Sequence, residues 1–141
     1  MILLALNELN LDFVKGYIEE GKLPNFKVLL KKGFVTTSSE EKYELLEPWI
    51  QWVTVHSGKS FDDHLVFRLG DIVLRKDLLQ IFEVLEESGL SIGAISPFNA
   101  DNRLKKSSFF VPDPWTQTEP SGSFLLKKLS KTISRFVNSN A

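Results

Sequence analysis

The chain contains no cysteine, which excludes both a disulfide framework and a thiolate metal site. It has two histidines, His56 and His64, so an imidazole-rich metal centre is excluded as well. No stretch approaches the roughly 20 apolar residues that a membrane helix needs. The first residues, MILLALNEL, form a short apolar run without a basic leader or small cleavage-type residues, and read as a buried strand rather than a signal peptide. There is no repeat and no low-complexity tract. Lysine and arginine (17) nearly balance aspartate and glutamate (18), so overall charge calls for neither nucleic acid nor a membrane surface. These absences together point to the cytoplasm.

What is present fits one globular domain, residues 1–141. The chain is 43% hydrophobic and long enough to bury a core without staples. Met1 to Leu6 has the continuous apolar character of a strand covered on both faces. Asn10 suits the cap of a helix carrying Leu11, Val14 and Ile18 on one face and stopped by Gly21. Pro24 opens a second helix with Phe26, Leu29 and Leu30 on its apolar side, ended by Gly33. The β-branched run from Phe34 to Ser39 reads as a second strand.

Pro48 opens a helix from Trp49 to Ser57, although its β-branched residues also permit a strand. Gly58 to Asp71 reads as a long loop, a feature often tied to function. Val73 to Ser88 has the broadest apolar stripe in the chain, through Leu74, Leu78, Ile81, Phe82 and Leu85, and predicts a helix stopped by Gly89. Leu90 to Ser96 and Ser108 to Val111 read as strands. After Pro112, Pro114 and Pro120, Ser121 or Ser123 can cap a last helix reaching about Val137. Lys127, Lys128, Lys131 and Arg135 are spaced to fall mostly on its solvent face.

Strands alternating with helices predict an α/β fold, a mostly parallel sheet flanked by helices. Ligands of such sheets sit beyond the carboxyl ends of the strands. Asn7, Glu8 and Glu47 fall near such an edge, and Asn99 follows a later strand.

The densest stretch chemically is EPWIQWVTVHSGKSFDDH, Glu47 to His64. With ILLALNELN, GKLPNFKVLLKKGF and the later SGLSIGAISPFNA and FFVPDPW, it resembles the alkaline phosphatase superfamily in order and spacing. The likeness is to the type I phosphodiesterase, nucleotide pyrophosphatase and sulfatase-like branches. Leu23-Pro24-Asn25, Trp52, Ser57-Gly58 and His64 carry the pattern. The resemblance implies a metal-dependent phosphoester or sulfate-ester hydrolase built on zinc, manganese or magnesium. It places metal ligands at Asn7, Glu8 and His64, substrate contacts at Trp49, Gln51, His56 and Asn99, and chemistry at Glu47.

Two departures bear on that chemistry. The metal-binding aspartate of the family falls on Asn7, whose amide brings no charge to a dication. The nucleophilic hydroxyl falls on Pro48, and neither Glu47 nor Trp49 replaces it. Further aspartates and histidines come, in the family, from a long C-terminal part. The chain thus resembles the N-terminal part of a larger domain, as a cut piece or a naturally short relative, not catalytically competent alone and with no certain cofactor of its own. The alternative is a non-catalytic α/β module that binds partners, among them a second copy through an exposed sheet edge.

Plainer readings stand beside the chemical ones. His56 suits a partly buried helix-end histidine satisfied by a hydrogen bond as well as a ligand or base. Asp62-Asp63-His64 suits a solvated loop as well as a hard-metal site. Trp49 and Trp52, three residues apart, suit core packing better than a stacking platform. Gly58-Lys59-Ser60 lacks the earlier glycine of a phosphate-binding loop, since Val53 occupies that place. Glu47-Pro48 also matches the ordinary preference of helix starts for acids and proline.

Overall fold

The computed structural model describes residues 2–139. The chain divides into two compact units, residues 1–38 and Ser39 onward. The described residues form six α-helices and one two-stranded parallel sheet, a mixed α/β arrangement.

The first unit holds α1 (Leu11–Glu19) and α2 (Pro24–Lys31). Asn10 caps α1 as its residue type predicts: its side-chain oxygen accepts the Asp12 and Phe13 amides at 3.0 and 3.1 Å. Pro24 starts α2 at a first-turn position where its missing N–H costs nothing. The two expected strands of this unit do not form. Ile2–Leu6 and the 34–39 segment have no regular structure, and Met1 lies outside the described residues. A strand needs a partner, whereas a helix satisfies its backbone internally. Here the apolar runs stay uncovered: Ile2 is 94% exposed and Val35 90%.

The second unit contains α3 (Pro48–Ser57), the single turn α4 (Phe61–His64), α5 (Ile81–Glu87), β1 (Gly93–Ile95), β2 (Phe109–Val111) and α6 (Phe124–Asn138). Gly58 ends α3 in the left-handed region at φ 66°, and its N–H returns to the Thr54 carbonyl. β1 and β2 pair in parallel with Ala94 opposite Phe110. Ser123 accepts the Leu126 amide and caps α6.

Two apolar clusters hold the unit. Val53 of α3 meets Val66, Ile72 and Leu78, while Phe82 of α5 meets Ala94, Ala100 and Phe110. Phe82 also stands edge-on to Phe110, with ring centroids 5.7 Å apart. That contact fixes α5 against the sheet.

The expected helix from Val73 to Ser88 is interrupted. Asp71–Leu74 is a 3-10 turn, and α5 begins only at Ile81. Leu74, placed on the expected apolar stripe, is 75% exposed. The break follows from polar bonds that outcompete helical continuity. Arg75 donates to the His64 carbonyl and to Asp77, and Gln80 forms a reciprocal capping box with Glu83 at the start of α5. The expected loop from Gly58 to Asp71 is likewise not structureless, since it holds α4.

Candidate functional site

Pro48 sets the first turn of α3, and the buried Ile50 and Val53 fix which side of the helix faces inward. Glu47 occupies the N-cap with extended backbone (φ −61°, ψ 135°), and its carbonyl accepts the Ile50 and Gln51 amides. Its side chain makes no capping bond and is exposed. A carboxylate therefore stands in solvent at the positive end of the α3 dipole.

The residues expected around it are tied into the fold. Trp49 donates its indole N–H to the Phe67 carbonyl at 3.0 Å, and Gln51 donates to the Leu45 carbonyl at 2.6 Å. Asn99 is fully buried and left-handed at φ 47°. Its amide donates to the Trp49 carbonyl at 2.7 Å and its oxygen accepts the Gly70 amide at 2.9 Å. Its own N–H donates to Asp113 at 2.9 Å. Asn99 thus clamps the start of α3 to the loop after β1, and every polar atom of its side chain is used.

His64 is also fully buried. Nδ1 accepts the Val66 amide at 3.0 Å, so the proton of the neutral ring sits on Nε2, which donates to Thr54 Oγ1 at 3.1 Å. Burial lowers its pKa, assisted by Arg75 and opposed by Glu40 and Asp63. Neither ring nitrogen keeps a lone pair for a metal in this arrangement.

His56 lies between aromatic rings, 5.7 Å from Trp52 and 5.2 Å from Phe82. Burial pushes its pKa down to about 4, and Nδ1 has no hydrogen-bond partner. It is a neutral core imidazole. Asn7 and Glu8 belong to the first unit, where they form an exposed two-residue turn with Glu8 left-handed at φ 56°. Among the described residues no group of three or more His, Cys, Asp and Glu could hold a metal ion. Asp62 and Asp63 are the exposed residues of the single turn α4, with Ser60 donating to Asp63.

Two recesses accompany these residues. An apolar one of about 360 Å³ is lined by Trp49, Phe67, Arg68 and Leu69. A more polar groove of about 490 Å³ runs between the 112–120 loop and α6, with Thr116, Lys131 and Arg135 on its walls. Lys131 pairs with Glu119 at 2.9 Å.

Sequence reasoning gave no role to the two buried aspartates, Asp101 and Asp113. Asp113 accepts the Trp115 and Thr116 amides and the Thr116 hydroxyl as well as the Asn99 amide. The signal for it was the Asp-Pro-Trp turn, because an aspartate there can receive the amides that follow. Asp101 accepts Lys76 at 2.7 Å, Arg103 at 3.0 Å and Thr118 at 2.5 Å. Burial raises its pKa, but these hydrogen bonds and the two cations prevail and leave it below the ordinary value. Nothing local predicts that network, since Lys76 and Thr118 lie 25 and 17 residues away.

No family model matches the chain, and neither a curated protein nor a solved structure matches it.

Proposed function

We propose that this chain is the N-terminal segment of an alkaline phosphatase-like, metal-dependent phosphoester or sulfate-ester hydrolase, and that it is not catalytically competent alone. The observation that carries the reading is the environment of Glu47. Its carboxylate is exposed at the head of a helix whose other chemistry-bearing neighbours are consumed in structural bonds. The sequence resemblance puts the reacting centre at that point. With no hydroxyl at Pro48, a carboxylate there would act as a general base on water rather than as part of a covalent relay.

The apolar recess beside the same helix start supports an ester with an aromatic or other apolar group. Trp49 and Phe67 supply surface, and Arg68 supplies a cation for the ester anion. The residues of this chain alone do not fit a resident dication: both ring nitrogens of His64 are committed, and Asn7 carries no charge.

A second reading is a non-catalytic α/β assembly module derived from that fold. It is favoured by the uncovered apolar segments of the first unit, where Ile2, Leu3 and Leu4 are 94%, 68% and 75% exposed. Titration with p-nitrophenyl phosphate and p-nitrophenyl sulfate separates the readings. Saturable shifts of the Trp49 indole N–H support the hydrolase segment. No shift with either ester leaves the assembly module.

A further inference from the structure

α6 docks onto its own unit through polar residues. Ser130 is buried, and Ser134 and Asn138 donate to the Pro114 carbonyl at 3.0 and 2.9 Å. Leu125, Leu129, Ile133 and Phe136 share a neighbouring face, within about 80° of arc at roughly 100° per residue. In a helix that serves a core, such a stripe points inward. Here all four residues are exposed, Leu125 by 72% and Phe136 by 69%.

Cations border that stripe. Lys128 and Arg135 lie beside it, Lys127 and Lys131 continue the charged side, and all are exposed. Lys131 pairs with Glu119, and no acidic residue follows Glu119 in the sequence. The near-balance of charge over the whole chain hides this local excess. A helix with an apolar stripe, a basic border and little hydrophobicity overall is suited to lie in the surface of a bilayer. No helix among the described residues is long and apolar enough to cross one.

We propose that the exposed face of α6 docks onto the anionic headgroup surface of a phospholipid membrane. Charge discriminates between the occupants. Two α6 stripes face to face would bring both sets of cations together with no acid between them, which opposes pairing with a second copy. The first unit has five lysines against four acidic residues, and its apolar segment Ile2–Leu6 carries no charge, so it offers the cations no complement either. Anionic headgroups answer the cations while the acyl boundary takes up the four apolar side chains, both in one contact.

The absence of cysteine allows a single probe at a chosen place. Leu129→Cys is labelled with an environment-sensitive nitrobenzoxadiazole dye and titrated with vesicles of phosphatidylcholine, alone or mixed with phosphatidylserine. The expected result is a blue shift with the mixed vesicles only, weakened by salt. The unlabelled chain should co-sediment with the same mixed vesicles. Lys128→Gln should weaken that binding about fivefold, and adding Arg135→Gln should weaken it about fivefold again, the effect of one cation near an anionic surface. Leu125→Ser with Leu129→Ser should abolish it. Circular dichroism unchanged from the parent shows that each variant is folded, and the charge variants test the proposal even if the serine variant is not.

A dye already blue-shifted without vesicles would overturn the proposal. If that shift ignores protein concentration, the chain's own first unit covers the stripe; if it grows with concentration, a second copy does. No response to either vesicle, an equal response to both, or binding that the α6 variants leave unchanged would overturn it too. None of these results bears on ester binding at Trp49, so failure here and failure of the hydrolase reading are distinguishable.

Discussion

Acid should destabilise the second unit through His56, and the size of the effect can be worked from its surroundings. The imidazole is 5% exposed, sits between the Trp52 and Phe82 rings, and has a pKa pushed down to about 4 by burial. In the unfolded chain it titrates near 6.5. Between those values the unfolded state binds the proton and the folded state does not, so stability falls as pH falls through that window. Above pH 6.5 the neutral ring carries no such penalty, and below about 4 the full penalty applies. The complete difference corresponds to roughly 3 kcal/mol, of which about 2 kcal/mol develops between about pH 7 and about pH 4.5.

The assay is urea unfolding at those two pH values, followed by tryptophan fluorescence, with Trp52 as a reporter next to the titrating ring. The comparison variant is His56→Leu, which keeps apolar bulk and removes both the titration and the unpartnered Nδ1. The wild type should lose about 2 kcal/mol more than His56→Leu on acidification. Subtracting the variant cancels His64 and the carboxylates, which are common to both proteins. At neutral pH the variant should be no less stable than the wild type, because a buried unsatisfied nitrogen has been removed. Equal acid sensitivity of the two proteins, or a folded-state titration of His56 near 6.5 by NMR, would refute the reasoning.

Asn99→Ala should destabilise by about 2–4 kcal/mol in urea unfolding, because it strands the Gly70 N–H and Trp49 carbonyl and forces a Cβ residue without local bonds into the left-handed region. Asn99→Gly, which keeps the backbone free, should lose less. Asp101→Ala should cost about 3 kcal/mol, since Arg103 is left largely buried without that carboxylate. Gly122→Ala should cost about 1–2 kcal/mol or more, because φ is +117° and the new Cβ would meet the Phe109 Cβ at 2.8 Å. An unchanged thermal midpoint in any of these three would contradict the corresponding contact.

The sequence was legible where a structure is decided by neighbours in the chain. Asn10, Pro24 and Pro48 marked three helix starts within a residue, and Ser123 was one of two serines offered as the cap of a fourth, because capping and first-turn chemistry are local. β1 was legible from a short apolar run between Gly89 and Pro97, and β2 from the short run Ser108 to Val111 before Pro112. The strands expected at 1–6 and 34–39 were not, since a strand forms only if a distant segment pairs with it. The break before α5 was hidden partly for the same reason, since Arg75 reaches His64 and Gln80 exchanges bonds with Asp101, although the Gln80–Glu83 capping box that starts α5 is local. In the candidate site, the burial of His56 followed from its place at a helix end, but Nδ1 has no hydrogen-bond partner, because the rings of Trp52 and Phe82 surround it. The commitment of both His64 nitrogens did not, because Thr54 is ten residues away and meets it only when α3 and α4 pack.

On the proposed reading, the head of α3 binds an ester in a segment unable to turn over alone. The most direct measurement is an NMR titration with p-nitrophenyl phosphate and p-nitrophenyl sulfate, with release of p-nitrophenol followed in the same samples, with and without zinc, manganese or magnesium. The predicted result is saturable shifts at the Trp49 indole and the amides flanking Glu47, lost in Arg68→Ala, with no p-nitrophenol above the protein-free blank. No shift with either ester, or metal-dependent release that disappears in Glu47→Gln, would contradict it.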